Sequence, residues 1–187
     1  MTFTRSFPIL ALAFSLFTTA AQAGEPACPG GYSNQFRLNG QVQNPARFRL
    51  FDLQYRPSSI VTVSFFSGSS GFVTKSYIGV PLIDLLNDAV IITDNAAHRN
   101  DILRKYVVVR GTDCYEVIIA VADLLSNFGH QQVLVAFETG DGQPLDASEG
   151  MARLIVVNDK QGGRLVSNVA TITVRSAPGA NDPSPAF

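Results

Sequence analysis

Residues able to do chemistry are sparse in this chain. His98 and His130 are its two histidines. Each lies in a polar turn context, where a solvated imidazole is a commoner outcome than a ligand or a base. Asp141 and Asp146 share the loop Thr139-Gly-Asp-Gly-Gln-Pro-Leu-Asp146, which suggests calcium. Their spacing fits no calcium loop, so a Gly/Asp-rich turn between strands is the plainer reading. A zinc site needs four clustered ligands, which the chain does not readily supply. There is no phosphate-loop pattern, no G-x-G-x-x-G and no H-E-x-x-H. Gly68-Ser-Ser-Gly71 has the wrong spacing for the G-x-S-x-G of serine hydrolases. The remaining reactive groups are Cys28 and Cys114. In an oxidising compartment two cysteines most simply form one disulfide. It would close a loop of about 85 residues, rated by chain entropy at about 4–5 kcal/mol. The alternative is two unrelated thiols, one of them buried.

The elements that must position such groups read as mixed strand and helix. Residues 36–40 alternate and then turn, and Pro45 closes the next short run. The β-branched and aromatic run 60–66 predicts a strand that ends in the flexible loop 67–71. Residues 81–89 place apolar side chains at helical spacing behind an N-terminal proline, which predicts a short helix. Strands are predicted over 106–110 and 115–119, joined by the turn 111–114, with a helical turn or two over 120–126. Two more strands, 133–137 and 153–157, flank a polar loop over 138–151, and a last strand runs through 166–174. Strands dominate and helices are short, so the fold class is α+β with mixed sheets. The Pro-, Gly-, Ala- and Ser-rich stretch 176–187 reads as a disordered tail.

Composition sets the compartment and excludes several classes. Across 187 residues, 46% are hydrophobic and 16% charged, with 14 Lys+Arg against 15 Asp+Glu. That balance opposes both a disordered chain and a nucleic-acid partner. Arg5, an apolar stretch from Phe7 to Phe17, and Ala21-Gln-Ala23 follow the order of a secretory signal peptide, expected to end at Ala23. Its cleavage removes Arg5, so 13 basic residues face 15 acidic ones, a net of −2. The apolar stretch is short of the roughly 20 residues a membrane span needs. The expectation is a bacterial periplasmic or secreted protein with no membrane span after cleavage, and one domain over 24–175.

The order of segments resembles a known family. Phe36-Arg-Leu-Asn-Gly-Gln-Val42 followed by Phe51-Asp-Leu53 is similar to the opening of the sulfite-oxidase-like molybdopterin-binding domain. Tyr77-Ile-Gly-Val-Pro-Leu-Ile-Asp-Leu-Leu86 resembles its W-x-G-x-P-L-x-x-L-L segment, with Tyr for Trp. Val109-Arg-Gly-Thr-Asp-Cys-Tyr115 resembles its D-G-Y turn. Asp141-Gly-Gln-Pro-Leu145 with Gly150-Met-Ala-Arg-Leu-Ile-Val-Val157 resembles D-G-x-P-L and G-x-P-x-R-L-V-V. Gly163-Arg164, with Val166 and Val169, is similar to the final G-x-R-x-V-x-x-V. The likeness covers about residues 36–174. Each motif is weak alone; five in order are fairly specific.

The resemblance implies a molybdenum–pterin cofactor whose metal is bound by a cysteine thiolate after the second strand, a soft ligand suited to that metal. No cysteine lies in the window 61–76. Ser67 is the ungapped counterpart and Ser64 a gapped one, while Cys114 occupies the glycine of the D-G-Y turn. Glu149 stands at an expected histidine and Ser167 at an expected lysine. The resemblance leaves Arg153 and Arg164 for pterin phosphate, and Tyr115 and Asp113 to line the site. Their plainer roles are to start a strand (Arg153) or to pack in the core (Tyr115). It implies that molybdenum is not held by a cysteine, and that the domain is degenerate at the metal site. In that reading it serves as a ligand-binding or accessory module for a small molecule or a periplasmic protein. The alternative is a molybdopterin-dependent periplasmic oxidoreductase, and a third reading is a purely structural secreted domain.

Overall fold

The computed structural model describes residues 28–178. The expected signal peptide, 1–23, lies outside the described residues, as does the expected tail beyond 178. Within them the chain builds two sheets. The first holds five strands in the order β2-β1-β9-β5-β6: β1 (Phe36–Gly40), β2 (Ala46–Phe48), β5 (Lys105–Gly111), β6 (Glu116–Ala120) and β9 (Val169–Ser176). β1 and β9 run parallel and the other pairs antiparallel, so the sheet is mixed. The second holds β3 (Ser59–Ser67), β4 (Gly71–Pro81), β7 (Val133–Thr139) and β8 (Arg153–Val156), in the order β3-β4-β7-β8, all antiparallel. Three short helices complete the fold: α1 (Leu50–Gln54), α2 (Leu82–Ala89) and α3 (Val121–Leu124).

Strand β7 explains how one element serves two cores. Val133, Val135 and Phe137 face the main core with β1, β5, β6, β9 and α2, whereas Leu134 and Ala136 face a second cluster inside the four-stranded sheet. Being buried on both faces, it reads as a continuous apolar run rather than an alternating one. β3 alternates instead: Val61, Val63 and Phe65 point into the second cluster, with exposed residues between them. Helix α2 buries Leu82, Leu85, Leu86 and Ala89 along one stripe, as its sequence spacing predicts.

The sequence missed one long strand. β4 reaches from the last residue of the predicted loop to the first of the predicted helix across 72–80, for which no strand is predicted, because Gly71, Lys75, Ser76 and Gly79 interrupt its apolar pattern. Its pairing with β3 through nine register pairs overrides that weak local signal. β4 pairs with β7 on both sides of a register shift at Ile78/Gly79, and a Cβ on Gly79 would lie 2.7 Å from Ala136 Cα. A glycine there is what permits the close approach. β9 runs to Ser176, one residue into the expected tail, and Ala177 N donates to the Arg104 carbonyl. Among the described residues, no helix is long and apolar enough to cross a membrane.

Candidate functional site

The four-stranded sheet curls so that its two edge strands, β3 and β8, approach one another through the segment 160–166. Phe66 N donates to the Lys160 carbonyl on one side, and Leu154 N donates to the Val166 carbonyl on the other. At this seam lies a hollow of about 380 Å³ lined by Phe65, Phe66, Ser67, Gly68, Arg153 and the 161–163 turn. Ser67 closes β3 at its rim, its Oγ 3.2 Å from Ser69 Oγ. Ser64 faces the other way, onto the exposed surface, where its Oγ lies 2.8 Å from Thr74 Oγ1.

Arg153 is the one charged residue in that lining, and it is not free. Its guanidinium donates to Glu149 Oε1 and, at 3.2 Å, to the Tyr77 hydroxyl oxygen. Tyr77 OH in turn donates to Glu149 Oε1 at 2.8 Å, and Lys75 Nζ donates to Glu149 Oε2 at 2.6 Å. Glu149 is 3% exposed and Tyr77 is fully buried. Lys75 and Tyr77 reach the same carboxylate because residues i and i+2 of a strand share a face. Gly150, at φ +85, places Glu149 over this face; a Cβ there would meet Asn168 Oδ1 at 2.4 Å. Asn168 Oδ1 also accepts from Ser33 N, while Asn168 N donates to the Glu149 carbonyl. These bonds hold the segment bearing Glu149 in place.

Burial, the strongest single influence, pushes the Glu149 carboxyl up, but its bonds to Lys75, Tyr77 and Arg153 outweigh it and hold the group below its ordinary range. Burial pushes Tyr77 far above its usual value, against the opposing pull of Arg153. Two cations face one carboxylate, so the cluster carries one positive charge. Arg153 Nε is buried with no hydrogen-bond partner, leaving one donor unused beside the hollow.

The other residues expected at the site are distributed around it. Arg164 makes a bidentate pair with Asp159, Nε to Oδ2 at 2.7 Å and Nη2 to Oδ1 at 2.5 Å, and is absent from the hollow's lining. Tyr115 is half exposed, and its hydroxyl donates to the Gly163 carbonyl, tying the β5–β6 turn to the hollow's rim. Asp113 stays in that turn, where Oδ1 accepts from Tyr115 N at 3.0 Å. Cys28 and Cys114 are joined in a disulfide. Asp141 and Asp146 accept from Thr139 and Ser148 within their own loop. Among the described residues, no three His, Cys, Asp or Glu side chains are grouped to hold a metal ion.

The model of the oxidoreductase molybdopterin binding domain matches residues 31–182. The chain belongs to that family. No curated protein matches it. Among solved structures it is similar to the sulfane dehydrogenase SoxCD from Paracoccus pantotrophus, with a TM-score of 0.61 at 21% identity. The match covers 76% of this chain and 38% of that one, so the likeness concerns the fold. The segments quoted from the sequence fall on matching structural features in this molybdopterin-binding-domain chain: 77–82 runs from β4 into α2, and 150–157 leads into β8.

Sequence reasoning noticed Glu149 and Tyr77 as departures from family positions but missed that they bond to each other. One signal was present. A glutamate four residues before an arginine, within an otherwise apolar stretch, needs partners when buried.

Two expected results arise from this chemistry. Glu149 is held below its ordinary pKa, and so is the buried Asp101, chiefly by the Asp94 backbone N–H and by Lys105. A carboxyl with a depressed folded-state pKa adds stability above its unfolded value and loses it as pH falls through the folded value. The melting temperature should therefore hold between about pH 7 and 5 and fall steeply below about pH 4. A melting temperature flat down to about pH 3 contradicts this. Arg164→Ala, by contrast, removes a pair whose arginine side chain is 41% exposed. The cost should stay below about 1 kcal/mol, seen as a small shift in urea midpoint. A loss of several kcal/mol would make Arg164 a structural keystone.

Proposed function

We propose that this chain is an exported member of the family that is degenerate at the metal position and acts as a ligand-binding or accessory module. The observation that carries this reading is the hollow itself. It offers a serine hydroxyl at the rim, where the family resemblance calls for a thiolate, and its one cation is already matched to a buried carboxylate. A neutral hydroxyl is a poor ligand for a soft metal. Both cysteine sulfurs of the described residues are bonded to each other, so neither offers a thiolate. The residues present therefore do not fit a molybdenum held by cysteine.

They leave room for a small ligand. The Phe65 ring packs beside Gly162 at the hollow's edge, and the arginine in its lining, Arg153, keeps its Nε unpaired. With a cluster charge of one, the site suits a neutral or singly charged group better than a phosphate dianion approaching Glu149. Export is supported by the leader-like N-terminal sequence and by a disulfide, a bond that persists in oxidising compartments. Family membership favours one second reading, a molybdopterin-dependent periplasmic oxidoreductase.

The test is compositional. Protein purified from the exported fraction is assayed for molybdenum per chain, and for pterin by fluorescence after acid oxidation. Molybdenum well below one per chain is expected. Stoichiometric molybdenum overturns the degenerate reading, whereas absence of both metal and pterin overturns the oxidoreductase.

A further inference from the structure

A second hollow, of about 350 Å³, lies on the outer face of the five-stranded sheet, away from the seam between β3 and β8. It is lined by Val108, Arg110, Cys114, Glu116, Thr173 and Arg175, among others. Cys114 brings the disulfide to its wall. Cys28 is an exposed residue and Cys114 a partly exposed one. One guanidinium nitrogen of Arg110 lies 2.7 Å from Cys114 Sγ and 3.6 Å from Cys28 Sγ. Glu116 holds Arg110 there from the neighbouring strand, through a 3.3 Å ion pair to Nε. Arg175 is exposed, its backbone paired with Tyr106 of β5, and its side chain makes no hydrogen bond or ion pair to the described residues. It stands four residues along β9 from Thr171, which is paired with Arg110. The two arginines are therefore about 13 Å apart along the strand direction.

We propose that this hollow is a thiol–disulfide exchange site for a small thiol that carries a carboxylate. A cation beside a disulfide stabilises the thiolate that leaves when the bond opens, and a lower leaving-group pKa speeds exchange. A purely structural bridge has no need of a guanidinium touching both sulfurs. The hollow then supplies what a small acidic thiol needs: Arg175 for its carboxylate, an apolar floor at Val108, and a sulfur in the wall. With Glu116 already paired to Arg110, the unmatched charge is that of Arg175, so an anionic ligand is favoured over a neutral one.

The steps balance. The incoming thiol gives its proton to water, and the thiolate attacks Cys114 Sγ. The Cys28–Cys114 bond breaks, and its electron pair leaves on Cys28 Sγ beside Arg110. A second thiolate attacks the mixed disulfide, releasing the oxidised small-molecule disulfide and a thiolate on Cys114. Both protein thiolates then equilibrate with solvent protons. Two thiols are oxidised, and one protein disulfide is reduced to two thiols. The reverse sequence reoxidises the protein at the expense of a small disulfide. This chemistry uses neither Ser67 nor Arg153 and is independent of the cofactor reading.

The test measures reduction of the disulfide in the full, folded chain by glutathione and by uncharged 2-mercaptoethanol, with rates expressed per thiolate. Glutathione should react several-fold faster, and Arg175→Gln should erase that preference by slowing glutathione more than mercaptoethanol. Arg110→Gln should slow both thiols by about tenfold and shift the equilibrium with glutathione toward the disulfide by a similar factor. Arg110→Lys, which keeps the charge, should recover part of the loss and guards against a folding defect in the glutamine variant. Circular dichroism recorded during reduction reports whether the sheets persist. Equal per-thiolate rates for the two thiols, an unchanged rate in Arg110→Gln, or reduction that occurs only as the sheets are lost would each overturn the proposal.

Discussion

Replacing Glu149 by alanine is expected to destabilise the protein by about 3–5 kcal/mol, the largest single-residue effect outside the apolar core. The carboxylate accepts from Lys75, Tyr77 and Arg153, and all of these groups lie in or beside the second apolar cluster. Removing it leaves two cations facing each other and a buried hydroxyl without its acceptor. Each is a penalty without a compensating gain. Tyr77→Phe should cost less, about 1–2 kcal/mol, because the carboxylate keeps both cations. Urea denaturation reads both as shifts in midpoint at constant slope. A combined Lys75→Met, Glu149→Leu and Arg153→Met variant removes every charge at once. It should recover much of the stability lost in Glu149→Ala, since replacing a whole buried ion cluster by apolar groups is often neutral. A triple variant less stable than Glu149→Ala would show that the network does more than neutralise itself.

The second large effect is loss of the disulfide. Cys28 and Cys114 are 86 residues apart, and a Cys28→Ser, Cys114→Ser variant should lose up to about 4–5 kcal/mol by the chain-entropy relation. The loss should appear as a lower urea midpoint with a steeper slope, because the unlinked denatured chain exposes more surface. Both sheets should persist at neutral pH without denaturant. The N-terminal segment keeps other ties: Gly30 N to the Thr112 carbonyl, and Thr112 Oγ1 to the Gly31 carbonyl. A destabilisation below about 1 kcal/mol would show that the denatured chain gains little freedom from release of the bridge.

The two expectations differ in how far the sequence could anticipate them. Two cysteines in a chain with a leader-like start are enough to suggest their pairing, because compartment chemistry limits what two thiols do. The Glu149 cluster needed the fold. Its members come from β4, from the 138–151 loop and from the start of β8, and the bonded pair Tyr77 and Arg153 is 76 residues apart in the chain. No local pattern encodes their meeting. Likewise, β4 has polar and glycine positions that blur its strand signal, and only its pairing with β3 and β7 makes it a strand.

What the sequence determined by itself is the family, the α+β class and a window over 61–76 that holds no cysteine. These rest on motif order, on the 2.0 and 3.6 residue periods, and on the identity of single residues, all of which are local properties. What only the tertiary structure decided is the state of the arginines. By sequence, Arg153 and Arg164 are two cations open to a phosphate. In the fold, Arg153 is committed to Glu149 and Arg164 to Asp159. The reason is electrostatic. A side-chain charge acts on what lies within a few ångströms of it, and chain position does not set that distance.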